Sequence, residues 1–383
     1  MFVDLFINGL VEGCLLALIC MGYSLAYGTA KIINFAHADV MICGGGYLVL
    51  LWLGGSGPAP AAPLLMALLF GAAASMTALL YLPRSARLRV LTAAAVGMTV
   101  ALLTFGLTGR LPFYAATLLA LPLTAMLAAA IYRTIYLPLL LRNAHRTSIL
   151  LAALGTSIAL QSWLLVGWNS GRRVFPVDRM PAGLTARAVP DASTLWQAVT
   201  EYGVFRLTGN HTLAALDFLI VVVFVLVVVG LALWFRFSRT ADAMTAAADA
   251  PLAARACGIP VERIAGHAFV IGGAIASIGG TLYILRSKSL DPTAGLSPGI
   301  LAFAACVLGG IGSLRGSVAG AFLTGLAISL APAVPLERWA GKMMSPHIVG
   351  QLPSLRLSDW SYGVVYLFMI LIILLKPRGL FAS

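Results

Sequence analysis

The chain has 383 residues, of which 60% are hydrophobic and only 10% charged, with a mean hydropathy of +0.97. An ordinary soluble domain is about 45–50% apolar and about 25% charged, so these proportions exclude a soluble enzyme or binding module and leave an integral membrane protein. The formal net charge of +12 comes from 25 Lys and Arg against 13 Asp and Glu; the cations are spread among the connections in no run of five, which points to membrane topology and not to nucleic acid.

The first segment, "MFVDLFINGLVEGCLLALICMGYSLAYG", lacks the basic start and small-residue cleavage site of a secretory signal and carries Asp4 and Glu12, so it reads as a retained transmembrane helix. Further hydrophobic runs predict crossings near 36–53, 64–82, 91–108, 113–132, 148–168, 216–235, 262–285, 299–311, 317–331 and 360–375, after a first one at 5–26. The runs at 36–53 and 299–311 are short or rich in glycine. Because a sheet with open edges cannot exist in lipid, the expected fold is all-α. It is a polytopic membrane helical bundle, one transmembrane domain over 1–383, with about 9–11 segments, some broken or re-entrant.

Lys and Arg between spans set the orientation. With the N-terminus outside and the C-terminus in the cytoplasm, the inner connections hold Lys31, Arg84, Arg87, Arg89, Arg133, Arg142, Arg146, Arg236, Arg239, Arg255, Arg263, Arg315, Lys376 and Arg378. These are a narrow majority of the 25 cations. Two outer loops, 169–215 and 332–358, are long enough for small structures. Between spans, 235–262 is Ala-rich and lightly charged, with a short helix and then a turn at Gly258, Ile259 and Pro260. It is too polar for the bilayer core and too apolar for a solvated linker, so it is expected to dock on another protein at the cytoplasmic surface.

The candidate sites follow. Glu12 lies about two turns into the first span, where a charge is costly and faces protein or water; it either lines a solute path or is a carboxyl held near the outer interface. The stretch "NFAHADVMICGGG" puts Asn34, His37 and Asp39 ahead of Gly44, Gly45 and Gly46. No GxSxG or HExxH pattern accompanies it, so it reads as a broken or re-entrant helix lining or supporting a pathway, and not as a catalytic or metal site. A second such region is "GLSPGILAFAACVLGGIGSLRG". There Gly309, Gly310, Gly312, Gly316 and Gly320 are helix-packing residues, with Gly312, Gly316 and Gly320 read as one stripe, within the chain or between subunits. Cys14, Cys20, Cys43, Cys257 and Cys306 show no metal-ligand spacing and read as small apolar residues.

Several stretches together resemble the permease subunit of the ATP-driven branched-chain amino acid importer family, which also includes permeases for urea and short amides. They are "NGLVEGCLLALICMGYSLAYGTAKIINFAHADVMICGG" at 8–45, "LGTSIALQ" at 154–161, "SRTADAMTAAADAPLAARACGIPVERI" at 238–264, "AFAACVLGGIGSLRGSVAGAFLTG" at 302–325 and the terminal "KPRGLF". The resemblance implies a non-enzymatic, multi-pass subunit of a bacterial cytoplasmic (inner) membrane. It makes 235–262 the segment that couples to an ATPase, through Asp249, Ala253, Arg255, Ala256 and Gly258. It implies as partners a second permease subunit, similar or identical, two ATPase subunits that bind ATP and Mg, and an extracytoplasmic solute-binding protein. The chain itself is expected to hold no cofactor. Branched-chain or other hydrophobic amino acids are the default cargo; urea, short amides or aromatic acids are alternatives in the same family. A stand-alone ion-coupled secondary transporter is the alternative outside it. Two departures stand out: Ala38 occupies a position where many relatives have Gly, and 84–130 reads as an added helical hairpin.

Overall fold

The computed structural model describes residues 2–53, 62–81, 86–168, 173–174, 204–206, 212–331, 361–376 and 379–381. The outer loop expected at 332–358 lies outside the described residues, as does most of that at 169–215. The helices are α1 (Phe2–Ala30), α2 (His37–Leu53), α3 (Ala62–Tyr81), α4 (Ala86–Gly106), α5 (Phe113–Ile131), α6 (Leu137–Leu141), α7 (Arg146–Gly167), α8 (Ala215–Phe237), α9 (Arg239–Asp249), α10 (Pro251–Ala256), α11 (Val261–Ser287), α12 (Leu296–Gly309), α13 (Leu314–Leu330) and α14 (Ser361–Leu375). Two short antiparallel pairs complete it: β1 (Arg173–Val174) with β4 (Ser289–Leu290), and β2 (Val204–Arg206) with β3 (Thr212–Ala214). Among the described residues, five helices are long and apolar enough to cross a membrane, or six if α12 and α13, bent by 119°, count as one span.

The packing order follows from small residues. Helix α13 runs antiparallel to α1: Ser24 and Ser317 share a hydrogen bond near one end, and the Ser329 hydroxyl donates to the Leu5 carbonyl at the other, 2.5 Å away. Between them, a Cβ on Gly13 would sit 3.0 Å from Phe322 Cα, so the backbones are already in contact. Lipid offers no hydrophobic drive for helix pairing, and such close approach supplies the dispersion contact instead.

One end of the bundle carries a group of cations that line cavities. Lys31 and Arg146 line one cavity there, and Arg315 lines another against α9. The opposite end holds the N-terminus of α1, the strand pair β1–β4 and the α4–α5 turn, where Gly109 and Leu111 donate backbone bonds to the Leu50 and Leu51 carbonyls of α2.

Helices α1 and α11 cross the bundle in opposite directions and end alike. Each stops at a lysine in the left-handed region, Lys31 at φ 53° and Lys288 at φ 50°. Each is followed by a short non-helical run back into the bundle, from which a second helix starts. Helix α2 starts beside Gly22 and Gly272, well inside α1 and α11, and leads to the opposite end. Helix α12 starts beside Ala38 and Asp39 and leads toward the basic end, where it turns into α13. The two units form an inverted pair of half-helices whose N-termini meet inside the protein, an arrangement that builds sites near the midplane of many transporters.

Three local features have direct causes. Helices α5 and α6 are one rod interrupted by a π turn at Tyr132–Tyr136. Pro138 follows it; proline has no N–H and crowds the carbonyl four residues back, which a widened turn relieves. The segment expected to hold one short helix holds two, α9 and α10, because Ala250 precedes Pro251 and is pushed to φ −142°, ψ 77°. The last described residues cap α12: the Leu380 N–H donates to the Leu308 carbonyl at 2.9 Å and the Phe381 N–H to that of Gly309 at 3.2 Å. Gly379, at φ +90°, permits this turn by lying flat on Gly310. That gives Gly379, Leu380 and Phe381 of the terminal "KPRGLF" a structural role.

Helix α2 runs parallel to α11 at backbone contact, with any Cβ on Gly280 falling onto the Met41 carbonyl. Gly280→Leu is therefore expected to cost at least the roughly 1–3 kcal/mol of core overpacking, read as a lower thermal midpoint in detergent. Gly230→Leu, at a position with nothing within 4 Å, leaves the stability within about 0.5 kcal/mol of wild type.

Candidate functional site

Asp39 sits in the first turn of α2 and is 1% exposed. Its carboxylate accepts hydrogen bonds from the Ser157 hydroxyl and, at 3.0 Å, from Gln161 Nε2, both on α7. Gly295, the N-cap of α12, stands so close that a Cβ there would meet Asp39 Oδ1. The carboxylate thus lies at the positive ends of two helices, which favour a negative charge at their first turns. Four helical features converge on one group: the starts of α2 and α12, and two donors one turn apart on α7.

The link before α2 is held as firmly. The Asn34 carbonyl accepts from the His37 N–H at 3.1 Å, while its side-chain Oδ1 accepts from the Tyr136 hydroxyl at 2.8 Å. The π turn lets Tyr132 and Tyr136 both point inward; Tyr132 donates to the Glu262 carbonyl at 2.7 Å, at the head of α11. His37 packs its ring against Gly22, where a Cβ would overlap it, and lies 5.2 Å from the Tyr23 ring. Asn34, His37 and Asp39 are all buried.

The three glycines expected to break the helix do not. Helix α2 runs unbroken through Gly44, Gly45 and Gly46, and the break lies earlier, at 31–36. The glycines are contact points instead. A Cβ on Gly44 would be 2.7 Å from Thr124 Oγ1 of α5, and one on Gly45 2.8 Å from the Gly280 carbonyl of α11; Gly46 faces Trp168 and Leu290 at ordinary distance. A glycine run inside an apolar segment fits both a break and a three-sided helix packing, and the sequence does not distinguish them.

The second predicted break is present, between α12 and α13, and Gly310 (φ 110°) and Gly312 (φ 91°) form it. Gly312 is therefore in the turn and not on the helical stripe, which holds only Gly316 and Gly320. These pack inside the chain: Gly316 lies back to back with Gly309, and Gly320 lies against the Ala305 carbonyl.

Glu12 is part of a charged cluster at the end opposite Lys31, Arg146 and Arg315. Arg286 Nη1 bonds Asp217 Oδ1 at 2.5 Å, and its Nε lies 3.9 Å from Glu12 Oε2. Asp217 and Arg286 were legible as an acid in the first turn of α8 and a base in the last turn of α11, but only the fold brings them to Glu12.

At the basic end, α9 buries Ala241, Met244 and Ala247 and ends at the exposed Asp249, while α10 projects outward with Ala253, Arg255 and Ala256 exposed and Leu252 78% exposed, followed by the exposed Gly258. Helix α10 ends in a Schellman turn. The Ile259 N–H returns to the Ala254 carbonyl and the Gly258 N–H to that of Arg255, with Gly258 at φ +81°. An ion pair of 2.8 Å between Arg255 and Glu262 ties the turn to α11. Cys257 is exposed and the other four cysteines are buried.

The family model described as "Branched-chain amino acid transport system / permease component" matches residues 86–374. The high-affinity branched-chain amino acid transport system permease protein BraD of Pseudomonas aeruginosa is 29% identical over 321 residues, 84% of this chain and 83% of that protein. The corresponding permease LivH of Escherichia coli K12 is 27% identical over 333 residues, 87% of this chain and 86% of that protein. The fructose import permease protein FrcC of Rhizobium meliloti is 36% identical over 112 residues, 27% of this chain and 31% of that protein. No solved structure matches the chain.

Ser157→Ala removes one donor from the buried Asp39 carboxylate and is expected to destabilise by about 1–3 kcal/mol. In an Asp39→Ala background the same substitution should cost much less, since the pair acts as a unit. Unfolding in detergent across the four proteins checks this; fully additive losses would mean that the hydroxyl does not hold the carboxylate.

Proposed function

The chain belongs to the branched-chain amino acid transport permease family, and from that membership we propose that it forms the translocation pathway of an ATP-driven importer for branched-chain or other hydrophobic amino acids. It is a multi-pass membrane protein of the inner membrane. In the proposed assembly it pairs with a second permease subunit, receives cargo from an extracytoplasmic binding protein, and is driven by two ATPase subunits that hold ATP and Mg. The N-terminus is outside, and the basic end is cytoplasmic, in keeping with the preference of inner loops for Lys and Arg.

The observation that carries the reading is the α9–α10 unit. Its first helix is anchored in the bundle and its second offers an exposed apolar tip stiffened by a Schellman turn and an ion pair. Such a rigid knob is suited to fill a groove on an ATPase and to transmit its movement. Nucleotide binding can shift the permease between outward-facing and inward-facing states only to the extent that the docked knob prefers one of them. Asn34, His37 and Asp39 take the role of holding the broken helices in register, which lets the surrounding helices move as units.

Leu252→Arg places a charge on the exposed tip without touching the buried face of α9. The variant is expected to fold normally and to lose about 2 kcal/mol or more of ATPase affinity, as when an anchoring residue is lost. Co-purification in mild detergent and leucine uptake in cells measure it; unchanged recovery of the ATPase with unchanged uptake would remove the docking role from α10.

A further inference from the structure

At the basic end a cavity of about 200 Å³ lies between the last turn of α1, the first residues of the break that follows it, and the start of α7. Two cations line it, Lys31 from just beyond α1 and Arg146 from the first turn of α7, and no carboxylate does. Both are exposed, and neither has an ion-pair partner among the described residues. Lys31 is held in place: its N–H donates to the Tyr27 carbonyl at 2.9 Å, and its Nζ lies 5.8 Å from the centre of the Tyr27 ring, within reach of a cation–π contact. Thr147, Ile149 and Leu150 carry the wall onto α7.

The depth of the cavity follows from α7. This helix is one of the five of span length, with 22 residues; at about 1.5 Å per residue it is close to the roughly 30 Å of a hydrocarbon core. Arg146, at its first position, therefore stands at the membrane surface, the level of lipid headgroups. Deeper in, the helix turns an apolar face outward. Leu151, Leu154 and Ile158 follow Thr147 at one, two and three turns, and all three are exposed, which is the spacing of a single helical face. Beside them Gly155 has nothing within 4 Å of where a Cβ would stand. The cavity thus opens at its lower edge onto an apolar track that runs into the bilayer.

Two like charges on one small space call for an anion. The space is smaller than the roughly 300–1,000 Å³ of pockets that enclose a whole small ligand, so it suits a headgroup whose remainder lies outside. An acyl chain can follow the track along α7 into the bilayer, where an acidic loop of a soluble partner cannot. We propose that Lys31 and Arg146 bind the phosphate of an anionic phospholipid, with one acyl chain laid along Leu151, Leu154 and Ile158. Basic pockets at the cytoplasmic ends of membrane helices take anionic headgroups in this way. A zwitterionic phospholipid carries the same phosphate but brings its own cation against the pair, so net headgroup charge decides the preference. Bound there, the lipid bridges the end of α1 to the start of α7 and braces the break at 31–36. The site does not depend on the importer reading; only its assignment to the inner leaflet rests on the orientation given above.

The test uses the full chain, with the subunits that co-purify, in mild detergent. Native mass spectrometry identifies the most tightly held lipid when palmitoyl-oleoyl phosphatidylglycerol and phosphatidylcholine are supplied in equal amounts. Phosphatidylglycerol is expected to exceed phosphatidylcholine at least about tenfold, each cation near an anionic headgroup contributing about fivefold. Lys31→Gln with Arg146→Gln removes the preference, whereas Arg110→Gln with Lys288→Gln, an equal loss of charge at the opposite end, leaves it. Excess inorganic phosphate tells the two sources of a phosphate group apart. It does not displace a lipid held by headgroup and chain together, and displacement would make the occupant a free anion and overturn the lipid site. Equal binding of the two lipids overturns it as well, as does a preference that survives the first double variant or falls as far in the second. A phosphatidylglycerol with a diazirine in its acyl chain locates the site in the unsubstituted protein. It is expected to label α7 between Leu151 and Ile158, and labelling confined to other helices overturns the proposal even if a double variant fails to fold.

Discussion

Backbone that leaves a helix inside a membrane has to find its hydrogen bonds within the protein, and in this chain that requirement converges on one carboxylate. Asp39 stands at the starts of α2 and α12 and takes two donors from α7. Without a negative group there, two helix N-termini would face each other across a dry interior. With it, two inverted units, one built on α1 and one on α11, are joined at their inner ends. Placing the chain's own carboxylate at this point sets a negative group against positive helix ends of the kind that in other transporters receive an anionic substrate.

The rest of the architecture is the consequence of making that junction tight. The half-helices fit only because glycines let backbones touch: Gly45 and Gly280 between α2 and α11, Gly295 beside Asp39, Gly309 and Gly316 inside the bent pair. The π turn in the α5–α6 rod aims Tyr136 at Asn34 and Tyr132 at the head of α11, so the break after α1 is tied to the base of α11. From there the chain continues backward into α10 and α9. The interior of the bundle and the exposed helix α10 are thus connected through packed helices and named hydrogen bonds, with no long flexible link among the described residues between them.

The sequence made the bundle readable because each span is a long apolar run bounded by charge or glycine, and the boundaries of α2, α5, α7 and α11 fell within a few residues of expectation. The break between α12 and α13 was also legible, since it falls at the glycines Gly310 and Gly312, which adopt positive φ. What escaped was three-dimensional pairing. Gly44 to Gly46 look like a break because sequence reports conformational freedom and not a neighbour's proximity. Ser157 and Gln161 carried only the signal of polar residues one turn apart in an apolar span. Asp217 and Arg286 are separated from Glu12 by most of the chain. The split between α9 and α10 could have been anticipated from Ala250–Pro251, because the residue before proline avoids the helical region.

The direct measurement of the central claim is a cross-link between the two half-helix starts. A Cβ at position 299 lies 2.7 Å from Ala38 Cβ, slightly inside the roughly 3.5–4.5 Å span of a disulfide, so Ala38→Cys with Gly299→Cys should bond with a small local shift. Oxidation in membranes followed by peptide mass spectrometry is expected to give the 38–299 link within one chain, in high yield and in no pairing with the native cysteines. A folded double variant that forms no such link, or forms it only between two chains, would contradict the meeting of α2 and α12 at Asp39.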